Sequence, residues 1–152
     1  MFDPSCLRSC LLLLGVLALG CAPPPQSTPE GIVRTFVERL DSFNGDARDA
    51  NQLFELLSER ARHNLSQRAQ RYSAASGRKI APAAMLVPAR FAPGVIRSYT
   101  AQLSGKFALV EVVGTPPDRR AQLPCVFEEG GWRIDIVMPA LSPLQRRLNR
   151  DP

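Results

Sequence analysis

Apolar residues recur along this chain at two different spacings, and the change from one to the other divides it. In the first half they return every three or four positions. Ile32, Val33, Phe36, Val37 and Leu40 make one stripe, with Arg34, Glu38 and Arg39 outside it, the signature of an amphipathic helix. Thr28 supplies a capping side chain, Pro29 suits the first helical position, and Glu30 suits the positive end of the helix axis. Ser42-Phe43-Asn44-Gly45-Asp46 closes that helix. A second helical stretch is expected over roughly 47–57, where Leu53, Phe54, Leu56 and Leu57 are apolar, and Ser58-Glu59-Arg60 marks a break and restart. The third stretch, 59–75, gathers Ala61, Leu65, Ala69 and Tyr72 on one side, with Arg60 and Arg71 opposite.

From Ile96 the spacing shortens toward two. Strands are expected over 96–103, 107–113, 121–127 and 132–137, punctuated by Ser104-Gly105, Gly114-Thr115-Pro116-Pro117 and Glu129-Gly130-Gly131. Connections this short favour an antiparallel meander over parallel units with crossover helices. Phe107, Leu109 and Val113 share a face that Glu111 interrupts. Trp132, Ile134 and Ile136 share another, leaving Arg133 and Asp135 to pair on the solvent side. Leu141, Leu144 and Leu148 follow in a short helical tail, where Ser142, Pro143 and Gln145 form a capping box and Arg146, Arg147 and Arg150 stay solvated. The expected class is α+β, with N-terminal helices packed on a curved four-stranded antiparallel sheet.

The first 21 residues follow neither spacing. Leu11–Gly20 is an unbroken apolar run of ten residues, about half of the roughly 20 that cross a bilayer as a helix. Pro-rich sequence follows at once and cannot extend it. A short n-region with Arg8, an apolar centre and small residues read as an export signal over 1–20. Leu17-Ala18-Leu19-Gly20-Cys21 resembles a bacterial lipoprotein signal. That resemblance implies cleavage before Cys21, diacylglycerol on its thiol and acylation of its amine. Ordinary signal peptidase could cut the same bond, since Ala18 and Gly20 also form an A-x-G site. Several acyl chains would hold a domain firmly where one would not. Neither Ala22 nor Pro23, the second and third mature residues, is the Asp such families use for inner-membrane retention, which implies an outer-membrane protein facing the periplasm. Residues 21–28 are then a lipidated Cys and a semi-extended Pro-rich tether, 29–139 the domain and 140–152 a basic tail.

Composition narrows the chemistry. Cys6 and Cys10 leave with the signal, so Cys21 and Cys125 remain and no intrachain disulfide framework is available. Arg8 and Asp3 leave together, so the net charge of +5 survives processing. It is concentrated between Ser58 and Lys79, where six basic residues meet only Glu59. A solvated helix face is the leading interpretation of that block, with an anionic surface next; export and thin aromatic interleaving disfavour nucleic acid. The single histidine, His63, has no HExxH or cysteine companions, so no metal or cofactor is expected. There is no G-x-S-x-G nucleophile motif and no Gly-rich phosphate loop. Cys125, between Pro124 and Val126, is expected in the core. Glu111 and Asp135 are the strand carboxylates available for acid–base work, and neither has an evident histidine partner.

The segments PEGIVRTFVERL, LFELLSERAR, FALVEVVG and VFEEGGWRIDIV, from about Pro29 to Pro139, resemble the small NTF2-like (cystatin-like) folds, especially their bacterial lipoprotein members of unknown function. The resemblance implies a pocket between sheet and first helix, for which Tyr99, Phe107, Leu109, Glu111 and Trp132 are candidate wall residues. A paired or sheet-edge carboxylate is the leading role for Glu111, and core packing for the other four. It carries no catalytic residue over to this chain. The expectation is a non-enzymatic envelope lipoprotein whose partner is another envelope protein, or alternatively a small apolar ligand; an acid–base enzyme is the lowest alternative. A ligand module requires an open concavity. An enzyme requires Glu111 or Asp135 inside it in a perturbed environment. A structural partner requires a filled interior and an exposed apolar patch.

Overall fold

The computed structural model describes residues 24–86, 94–115 and 119–141. The leader 1–20, Cys21 and the tail from 142 onward lie outside them. Three helices precede a four-stranded antiparallel sheet, an α+β arrangement. Each helix starts where a short polar side chain can satisfy a free backbone donor. For α1 (Pro29–Asp41) the Thr28 hydroxyl accepts from the Gly31 N–H at 3.0 Å. For α2 (Ala47–Phe54) Asp46 accepts from Arg48, and for α3 (Glu59–Ser76) Ser58 accepts from Ala61 at 3.1 Å. The restart expected at Ser58 is thus a cap, and α2 stops at Phe54, three residues short of the expected end.

The sheet runs β1 (Ser98–Ser104), β2 (Phe107–Val113), β3 (Arg120–Glu128), β4 (Gly131–Ile134), with strands neighbouring in chain order. Two-residue turns join β1 to β2 and β3 to β4. At the latter Glu129 (φ 52°) and Gly130 (φ 78°) both take positive φ, the type I′ geometry that matches strand twist. β4 is shorter than the expected 132–137, and Pro124 accounts for that. Its carbonyl accepts from the Asp135 N–H at 2.8 Å, but proline has no N–H to return the second bond, so pairing ends.

Beyond β4 the sheet gains a rung from the helical half. Leu57 bridges Ile134 in parallel: the Ser58 N–H donates to the Ile134 carbonyl at 2.8 Å, and the Ile134 N–H to the Leu56 carbonyl at 2.9 Å. The opposite edge is partly closed too, because Glu30 of α1 accepts from the outward Ala101 N–H of β1 at 3.2 Å. Occupied edges offer fewer free donors and acceptors to a stray strand.

The core lies between α1 and one face of the sheet. Ile32, Val33, Phe36 and Val37 meet Ala108, Val110, Val112, Cys125, Trp132 and Ile134, with Leu53, Leu56, Leu57, Ala61 and Leu65 completing the cluster. The inward face of β2 is therefore Ala108-Val110-Val112, while Phe107, Leu109, Glu111 and Val113 face away from the helices. Both faces of this strand are apolar except at Glu111, and that one carboxylate decides which is outward. α3 outlasts its cover: Ala69 is buried, but Tyr72, expected on the same apolar side, is 57% exposed.

The tether is not extended up to the domain. Pro25–Ser27 forms a 3-10 turn packed against α1 and β4. Gly31 permits this approach, since a Cβ there would stand 2.4 Å from the Pro25 carbonyl oxygen. That contact explains a glycine early in a helix, where it otherwise costs about 1 kcal/mol relative to Ala.

Candidate functional site

The five residues expected to wall one pocket are divided between the two faces of the sheet. Trp132 is buried on the helix side, edge-on to Phe127 with ring centroids 5.5 Å apart. Tyr99, opposite Val112 in the register, is half-buried on that same side, with the Arg34 guanidinium 5.3 Å from its ring centroid. Burial raises its hydroxyl above the ordinary value, the Glu38 carboxylate adds to this, and Arg34 opposes it. Phe107, Leu109 and Glu111 lie on the other face. The single pocket is corrected accordingly: strand alternation separates these residues by parity, and the space under the helices is occupied by the Val110, Val112 and Ile134 side chains, all fully buried.

On the outer face, pairing sets Phe107 beside Val126 and Leu109 beside Pro124. These cross-strand neighbours form an apolar stripe, and Phe107 is 62% exposed. Glu111 sits at its margin in an ion pair with Arg120 at 3.3 Å, half-exposed rather than enclosed. Among the described helices, α1 contacts the sheet from the opposite side, and none is long and apolar enough to cross a membrane.

Asp135 departs further from expectation. It is buried and turns toward the start of α3 instead of pairing with Arg133 in solvent. Its Oδ1 accepts from the Ser58 hydroxyl at 2.6 Å and from Arg60 Nε at 3.1 Å, while its Oδ2 is ion-paired to the Arg60 guanidinium. The Leu57–Ile134 bridge explains this partnership, because it lays Ser58 alongside residue 135. Ser58, fully buried, uses its proton on Asp135 and its oxygen to cap α3. Sequence reasoning noted Ser58 as a helix restart and Asp135 as a strand carboxylate, but no local signal joins residues 77 positions apart.

Beside this cluster an open depression of about 630 Å³ is lined by Phe54, Glu59, Arg60, Arg62, His63, Ser66 and Glu128. Three of its charged side chains have partners, Arg60 among them through Asp135. Glu128 accepts from the Glu59 N–H at 2.6 Å, and Arg62 lies 3.8 Å from Glu129. His63 is exposed, with Nε2 2.9 Å from the Gln67 amide nitrogen. The arrangement fixes the α3 N-terminus to the β3–β4 turn; among the described residues no three His, Cys, Asp or Glu side chains gather as metal ligands.

Cys125 is buried in the core, where burial first, then the Asp135 and Glu30 charges, push its thiol from an ordinary 9.0 up to about 12. Native chain at pH 8 should therefore resist alkylation on the Cys125 peptide, with labelling appearing only on unfolding. The folded state holds this proton after the unfolded state has released it, so stability should fall as pH rises from about 9 toward 12. The stability advantage of wild type over Cys125→Ala should shrink across that window. A constant difference, or native labelling as fast as unfolded, contradicts the burial assigned to this thiol.

Cys21, the expected lipid attachment point, lies outside the described residues. Comparison of this chain with protein-family models, curated proteins and solved structures finds no match in any of the three.

Proposed function

We propose that this chain is an envelope lipoprotein with an NTF2-like domain, anchored through Cys21 to the outer membrane and facing the periplasm. Its role is non-catalytic, as a structural or interaction partner of another envelope protein. The observation that carries this proposal is the asymmetry of the sheet. The helix side is filled by side chains with no exposed surface, among them Ile32, Leu57, Val110, Val112 and Ile134. The other side presents the Phe107–Leu109–Pro124–Val126 stripe, the kind of apolar patch that marks a protein contact. The buried carboxylate, Asp135, is committed to Ser58 and Arg60 and serves the fold.

Two measurements test the two halves of the proposal. Intact-mass analysis of the membrane-extracted chain should find an N-terminus at Cys21 carrying diacylglycerol and acyl groups; an unmodified Cys21 or a retained Met1 overturns the anchor. A photo-reactive benzophenone side chain at Phe107 should give a discrete protein adduct in intact envelopes, and the same group at exposed Glu38 should not. Equal adducts at both positions, or none at Phe107, overturn the interaction role.

A further inference from the structure

We infer that the solvent side of α3, with the Arg78-Lys79 segment that follows it, is a docking surface for the anionic headgroups of a lipid bilayer. The chain carries no Asp or Glu between Glu59 and Glu111, and that stretch holds nine lysines and arginines. Residues 29–59 are the reverse, with seven acids against three basic residues. Charge is thus separated along the chain: α1 and the residues flanking α2 are acidic, α3 and its continuation basic. A molecule so polarised takes one orientation at a charged surface, because the field attracts one end and repels the other.

Several cations of α3 have partners within the fold. Near its N-terminus Arg60 is held by Asp135, Arg62 lies near Glu129, and Arg68 donates to the Pro139 carbonyl. Toward its C-terminus acids are absent from the helix itself. Arg71 is eleven residues beyond Arg60, about three turns, and so continues the same line along the helix. It borders a shallow groove of about 390 Å³ with Gln70, Ala74 and Ala75. Past the left-handed Gly77, Arg78 and Lys79 are exposed. Tyr72, 57% exposed, stands one residue from Arg71 and adds a ring of the amphipathic kind that settles at headgroup depth.

The choice of a bilayer rests on the membrane-anchored proposal. A tether of a few residues would hold the domain near the surface, where each basic side chain contributes about 1 kcal/mol of attraction within a Debye length. Acyl chains and a basic face would then act as two signals, each making the other more effective.

Flotation of the full chain with phosphatidylcholine vesicles, with and without about one third phosphatidylglycerol, tests the inference. The apolar leader contributes to binding on both, so the readout is the excess on anionic vesicles. That excess should be about tenfold at low salt and should collapse as salt is raised. The doubly reversed variant Arg78→Glu/Lys79→Glu, with wild-type Tm, should lose the excess and keep its binding to pure phosphatidylcholine. Arg48→Glu, a reversal on α2, should keep the excess. Equal binding to the two vesicles, an excess that survives in the double variant, or one lost equally in Arg48→Glu overturns the inference. The mass of Cys21 reports separately on the anchor, so the two failures are distinguishable.

Discussion

Ile134→Ala should lower the unfolding free energy by about 3–5 kcal/mol, more than a typical point substitution. The side chain has no exposed surface and sits where three parts of the chain meet. Cys125 is its partner on β3, Leu57 its partner on the opposite edge, and its own amide and carbonyl both bond to the α2–α3 link. Truncation leaves a cavity whose walls are pinned by backbone hydrogen bonds, so collapse can recover little of the lost contact. In a domain of this size the melting temperature should fall by about 10 °C or more. Leu103→Ala is the matched control: its side chain is 65% exposed at the end of β1, and its loss should cost no more than about 0.5 kcal/mol. Urea denaturation of the two variants against wild type checks this. Similar midpoints for both would mean that Ile134 is not the junction described.

The second large effect belongs to the Ser58–Asp135 pair. Asp135→Ala should cost about 2–4 kcal/mol, since it leaves the buried Ser58 hydroxyl proton without an acceptor and releases Arg60. Ser58→Ala removes a helix cap worth about 1 kcal/mol and also leaves the Asp135 carboxylate short of a donor. Once one partner is gone, losing the other should cost less, so the two effects should be less than additive by about 1–2 kcal/mol. Arg60→Ala should be milder, within about 1 kcal/mol, because its side chain is 61% exposed and water screens the pair. Chemical denaturation of the full double-mutant cycle reads the coupling directly. Strict additivity would show that the 2.6 Å contact contributes nothing of its own.

These two sites mark where local reading of the sequence succeeds and where it stops. Caps, turns and period-two patterns act over a few residues, so Thr28, Ser58, the span of β2 and the meander order are legible. Which face of β2 turns inward depends on a comparison of two apolar faces, and the bulkier one, with Phe107 and Leu109, is the outer. The pocket expected from those residues fails for that reason. The Leu57–Ile134 bridge and the Asp135 partnership join distant segments and leave no local trace. Pro124 did leave one: a proline inside a strand must face a place where a donor is not needed, and β4 ends opposite it. The acid-free stretch after Glu59 is equally visible in the chain, but its meaning depends on where the fold places those cations.

The Pro25–Ser27 turn gives the N-terminal entry to this domain a mechanical character. Tension arriving from the N-terminal side meets that turn before it meets the core. The turn has no buried residue and is held by its fit over Gly31 and Gly131, where the Gln26 side chain would come within 3.0 Å of an added Cβ. A strand under tension yields by breaking ladder bonds together, whereas a turn held by surface contact yields alone. Under pull the turn would lengthen first, releasing a few residues of slack before α1 and the sheet bear force: a fuse ahead of the folded domain.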